Sequence, residues 1–155
     1  MKILVVYDSY FGNTEKVAQA IGVALGDDVA VKRPRDVEAG ELSELDVLIV
    51  GSPTRAFSPS DAIKDFLKTI PSGALKGVKV AAFDTRIAKE DTENPVLRFM
   101  INIFGYAAKP IGENLVRKGG EPLGEPAGFF VLDTEGPLRD GELERAAGWA
   151  KSLVS

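Results

Sequence analysis

A chain of 155 residues with 45% hydrophobic positions can bury one sizeable core and gives no reason to divide it, so residues 1–155 read as a single domain. The formal net charge of -4, with both signs scattered along the chain, offers no basic footprint for nucleic acid and no cationic helix for a membrane surface. With neither Cys nor His there is no disulfide, thiol nucleophile or imidazole base, and no metal site is expected; chemistry would come from a bound organic cofactor.

The apolar run Ile3-Leu4-Val5-Val6-Tyr7 reads as a first strand, and Val17, Ala18, Ile21, Ala24 and Leu25 recur at helical spacing up to Gly26. Between them lies the polar loop Asp8-Ser9-Tyr10-Phe11-Gly12-Asn13-Thr14. A strand, a tight loop and a helix N-terminus make a phosphate cradle: the first helical N–H groups lack partners, the helix dipole is positive there, and Ser9, Asn13 and Thr14 add short polar side chains. The period-two segment Val29–Lys32 suits a half-exposed edge strand, and Asp36 to Glu44 a short helical turn.

Val47-Leu48-Ile49-Val50 is continuously apolar, as expected of a parallel strand covered on both faces, and it runs into Gly51-Ser52-Pro53-Thr54. Ser58 then reads as a helix N-cap, with Pro59 at the first helical position and Asp61 in a capping box, and the helix buries Ile63, Phe66, Leu67 and Ile70. Val78 to Phe83 reads as the fourth strand, with Asp84-Thr85-Arg86 opening a long polar loop. The apolar stretch with Leu97, Phe99, Met100, Ile101, Ile103 and Phe104 is either core or a surface for a homodimer or partner. A helix from Ala107 to Val116 ends at Gly119-Gly120, Phe129 to Leu132 gives the last strand, and a final helix follows Asp140.

Five strands separated by helices predict an α/β fold: a doubly wound five-stranded parallel sheet, order 2-1-3-4-5, with helices on both faces. The loops after strands one, three and four then converge on one crevice. The P-loop, the dinucleotide fingerprint and the nucleophile elbow are absent from the sequence, which disfavours nucleotide hydrolysis, classical dinucleotide binding and serine hydrolysis.

Ser9-Tyr10-Phe11-Gly12-Asn13-Thr14 followed by Glu15 resembles the FMN phosphate loop of flavodoxins, and Gly51-Ser52-Pro53-Thr54-Arg55 resembles the second flavin loop of flavodoxin-like proteins and their quinone-reductase relatives. The resemblance implies FMN as cofactor. It implies that Ser9, Gly12, Asn13 and Thr14, with the backbone of Tyr10 and Phe11, hold the phosphate. Ser52, Pro53, Thr54, Arg55, Ala56 and Phe57 would then lie along one side of the flavin, and Asp84, Thr85 and Arg86 along the other. Three departures stand out. Phe11 replaces a hydroxyl residue, the usual aromatic sandwich is missing, and the second loop has no Gly to turn its peptide toward reduced N5. Arg55 either lies near the pyrimidine edge, favouring the anionic reduced flavin, or pairs with Asp84 or Asp61. Phe57 is either a flavin wall or a hydrophobic staple.

The function so implied is electron transfer between redox partner proteins, with an FMN-dependent NAD(P)H:quinone reductase as the alternative and a flavin-free scaffold as a third reading. The acidic run Glu90-Asp91-Thr92-Glu93 is either a solvated loop or a guide for a basic partner. The chain opens Met-Lys into a strand and has no apolar run long enough for a bilayer, so a cytoplasmic location is expected.

Overall fold

The structure, a computed structural model, describes residues 1–38, 40–88, 94–96, 98–99 and 105–155. Its elements are β1 (Ile3–Tyr7), α1 (Asn13–Leu25), β2 (Val29–Lys32), β3 (Val47–Pro53), α2 (Asp61–Thr69), β4 (Lys79–Ile87), α3 (Ala108–Arg117), β5 (Glu121–Pro122), β6 (Ala127–Val131) and α4 (Glu142–Val154). Two short 3-10 turns, Pro34–Asp36 and Glu41–Glu44, take the place of the single turn expected after β2.

All strand pairs are parallel and the order is β2-β1-β3-β4-β5, with β6 also paired to β4. The expected last strand is therefore two pieces on one edge: β5 meets Lys79 and Val80, while β6 meets Phe83 to Ile87. Along β1 the side chains alternate between two cores. Leu4 and Val6 join Leu48, Val50, Ile63, Phe66, Ile111 and Leu115 under α2 and α3. Ile3, Val5 and Tyr7 join Ile49, Val17, Ile21, Ala146 and Ala150 under α1 and α4. Apolar residues on both faces of β1 and β3 are what a central parallel strand requires, whereas every residue of the edge strand β2 is only partly buried. Trp149 packs edge-on to Phe83 and Phe129, at centroid distances of 6.2 and 5.9 Å, so it belongs to the core.

Two expectations are corrected. The cap of α2 is Ser60, not Ser58: the Ser60 hydroxyl accepts from Ile63 N at 3.4 Å. Ser58 is consumed by a tight turn, its N–H donating to the Arg55 carbonyl at 3.0 Å and its hydroxyl to the same oxygen at 3.1 Å. Strand four does not stop at Phe83, because pairing with β6 carries it through Asp84, Thr85 and Arg86 to Ile87. The apolar stretch from Leu97 to Phe104 and the acidic run Glu90–Glu93 lie largely outside the described residues.

Candidate functional site

With every strand parallel, the carboxyl ends of β1, β3, β4 and β6 lie at one edge of the sheet, and their loops share a cleft there. The first loop is set by Gly12, the N-cap of α1, at φ +90°. A Cβ at Gly12 would meet nothing within 4 Å, so glycine is required by backbone conformation and not by crowding. Ser9 Oγ accepts from Gly12 N at 3.0 Å, and the helical ladder begins at Lys16 N to Gly12 O. The amides of Asn13, Thr14 and Glu15 are thereby left without intrahelical acceptors, at the positive end of a 13-residue helix.

Other elements pin this loop. Arg33, just past β2, donates to Asp8 Oδ1 at 3.1 Å and to the Ser9 carbonyl at 3.3 Å, with its guanidinium 5.1 Å over the Tyr7 ring. Tyr7 OH donates to Glu15 at 2.7 Å; burial, then the Glu15 carboxylate, push this hydroxyl above its ordinary pKa, so it stays a donor. Asn13 Nδ2 donates to the Glu135 carbonyl at 3.1 Å, which draws the loop after β6 to the site. Thr14 and Thr85 share a hydroxyl–hydroxyl bond of 2.7 Å.

Of the residues expected from the sequence, Ser9, Tyr10, Phe11, Asn13 and Thr14 line the cleft from the first loop, Pro53, Thr54 and Arg55 from the second, and Thr85 and Arg86 from β4. Five are placed otherwise. Gly12 shapes the loop as described. Ser52 is fully buried, its hydroxyl donating to the Pro53 carbonyl and accepting from Ser60 N, so it ties β3 to the start of α2. Asp84 is fully buried beneath Arg86. Ala56 and Phe57, neither of them a cleft-lining residue, form the centre of the Arg55–Ser58 turn at φ +47° and +67°. Thr54 also reaches the start of α3, its hydroxyl accepting from Ala107 N at 3.2 Å.

Arg55 does not pair with Asp84 or Asp61, as one reading of the sequence had it. Its guanidinium lies 4.6 Å over the Tyr10 ring, joining the first and second loops, and Asp84 pairs with Arg86 instead. Both Arg55 and Tyr10 are exposed and stand at the mouth of a cleft of about 100 Å³. Sequence reasoning missed Arg33, Ile87, Val131 and Thr134. The last three line the cleft, but only the pairing of β4 with β6 brings them there, and no local signal announces that.

The cleft thus offers free helix amides and the hydroxyl groups of Ser9 and Thr14. Its lining includes, among the described residues, two arginines and no carboxylate, a donor set that fits the phosphate of a flavin mononucleotide. Among the described residues no cluster of acidic side chains is arranged to hold a metal ion.

The chain resembles many solved structures. It is 26% identical to flavodoxin 2 from Bacillus cereus, covering 99% of this chain and 97% of that one with a TM-score of 0.76. It is 24% identical to an archaeal flavodoxin (99% and 96% covered, TM-score 0.72) and 18% identical to a WrbA-like flavodoxin from Agrobacterium tumefaciens (98% and 94% covered, TM-score 0.71). These last two likenesses speak to fold. The flavodoxin domain family model matches residues 4–98, which include β1, the first loop, β3, the second loop and β4. By that match, the chain belongs to the flavodoxin family.

Proposed function

We propose that this chain binds FMN and carries electrons between redox enzymes. The family implies a flavin cofactor, and the observation that supports FMN is the cradle itself: three amides of α1 without a partner among the described residues, beside Ser9 and Thr14, in a cleft whose described lining includes Arg55 and Arg86 and no carboxylate. When bound, the flavin supplies the redox chemistry; the chain's part is to anchor the phosphate, orient the ring between the second loop and the end of β4, and set the electrostatics around it. The absence of Cys and His leaves few side chains for chemistry of their own.

Guidance of a basic partner by Glu90-Asp91-Thr92-Glu93, homodimerisation through the Leu97–Phe104 stretch and a cytoplasmic location belong to the same proposal and rest on the sequence. No helix among the described residues is long and apolar enough to cross a membrane. The test uses FMN-loaded protein mixed with NADH or NADPH and a quinone. Electron carriage predicts no steady consumption until a separate flavoprotein reductase is added. Turnover without one would make the chain an FMN-dependent quinone reductase.

A further inference from the structure

Arg86 is held as few cleft arginines need to be. Its Nε donates to Asp84 Oδ1 at 2.6 Å and its Nη2 to Asp84 Oδ2 at 2.8 Å, a bidentate pair on a fully buried carboxylate. The same carboxylate accepts from Ala108 N, at the start of α3, at 2.8 Å. The Tyr106 ring covers the guanidinium with its centroid 3.8 Å from Cζ. Gly128, opposite Asp84 in the β4–β6 register, has no Cβ, and one built there would overlap the guanidinium. Three elements therefore fix a cation that lines the cleft, and Nη1 makes no hydrogen bond among the described residues. Asp84 offsets part of this charge, but Asp84 is fully buried and is not among the cleft-lining residues whereas Arg86 is, so the pair turns its positive member toward the cleft. Arg55, by contrast, is exposed and stacked on the exposed Tyr10.

We propose that Arg86 is the positioned cation for the reduced flavin ring, which takes up two electrons and one proton and so gains one negative charge. This inference rests on the FMN reading. A fixed guanidinium in a partly dry cleft favours the more negative form without reorganising, so the protein binds reduced FMN more tightly than oxidised FMN, and the midpoint potential rises by linkage.

The experiment compares wild type, Arg86→Gln, Arg86→Lys, Gly128→Ala and the doubly neutral Asp84→Asn/Arg86→Gln. The readouts are fluorescence titrations with oxidised FMN and riboflavin, and the potential of bound FMN during reduction by dithionite. In Arg86→Gln the preference for reduced over oxidised FMN is expected to drop about tenfold, a fall of about 30 mV for a two-electron couple. Arg86→Lys is expected to keep part of it. Gly128→Ala, which retains every charge but displaces the guanidinium, shifts the potential in the same direction. If Arg86→Gln leaves buried Asp84 unpaired and does not fold, the double variant and Gly128→Ala carry the test. Unchanged potentials in the folded variants overturn the inference. So does a loss of FMN affinity with riboflavin affinity intact, which would assign Arg86 to the phosphate. A wild type that takes up no FMN defeats the FMN reading itself, and this inference with it.

Discussion

Thr14, in the first turn of α1, and Thr85, near the end of β4, share a buried hydroxyl–hydroxyl hydrogen bond of 2.7 Å. It joins a helix and a strand whose bonded residues stand 71 positions apart in the chain. One of the two hydroxyl protons is spent in this bond and the other stays available to a ligand in the cleft that both residues line, so removing either hydroxyl deprives the other of its protein partner. Thr85→Val is expected to cost about 1–3 kcal/mol in urea unfolding. The double variant Thr14→Val/Thr85→Val should cost less than the sum of the singles, and simple additivity would mean the pair is not coupled.

Gly51 at the end of β3 faces the ring of Phe83, and a Cβ there would overlap it. Phe83 cannot retreat freely, since Phe129 and Trp149 hold it edge-on at 6.2 Å each. Gly51→Ala is therefore expected to destabilise the fold by about 1–3 kcal/mol through overpacking. An unchanged denaturation midpoint would contradict this account of the core beneath the cleft.

The turn Arg55–Ser58 closes with two backbone hydrogen bonds of 2.8 and 3.0 Å around central residues that both have positive φ, the signature of a type I′ turn. Ala56 and Phe57 fill places where Asn and Gly are favoured. Ala56 is exposed, so Ala56→Asn changes the backbone preference and little else. It is expected to raise stability by about 0.5–1 kcal/mol, and thermal unfolding with equal or lower midpoints would speak against strain at this turn.

Glu142, the first residue of α4, is buried and accepts from Phe130 N at 2.6 Å and from Arg145 at 2.7 and 2.9 Å. Burial alone would push its carboxyl up, but Arg145 and the Phe130 amide outweigh burial and hold it below the ordinary 4.5. With the folded pKa depressed, the unfolded chain binds more protons on acidification. The contribution is present above about 4.5 and is lost as pH falls through the folded value. Asp84, raised by burial against the pull of Arg86, acts in the opposite sense, so the comparison must isolate Glu142. Wild type should lose stability more steeply below pH 4.5 than Glu142→Gln does, and parallel curves would remove Glu142 from the acid response.

The parts of the fold that were legible in the sequence are those governed by local periodicity. The continuously apolar Ile3–Tyr7 run, the helical spacing from Val17 to Leu25 and the short period-two Val29–Lys32 strand all declare their element and its place in the sheet. The helix read from Ala107 holds Pro110 in the first turn of α3, where a missing N–H costs nothing. What stayed hidden depends on pairing across the chain. Asp84 to Arg86 look like loop by composition, yet ladder bonds to β6 make them strand and aim Asp84 and Thr85 to opposite partners, Ala108 and Thr14. In Ser58-Pro59-Ser60-Asp61 the sequence points to Ser58 as the cap, and the structure uses Ser60. The return of the chain to Arg55 takes Ser58 out of that role, and the turn has no Gly or Asn to betray it. Arg33 reads as the frayed end of an edge strand, and its bond to the Ser9 carbonyl exists only because β2 lies beside β1.

The measurement that bears most directly on the central claim is a fluorescence titration of the purified chain with FMN and with riboflavin, repeated for Ser9→Ala and Thr14→Ala. The account predicts saturable binding of one FMN per chain, weaker binding of riboflavin, and a loss of about 1.5–3 kcal/mol per substitution for FMN with little change for riboflavin, because each hydroxyl serves the phosphate through a charge-assisted bond. No saturable FMN binding, or equal weakening of both ligands, would contradict it.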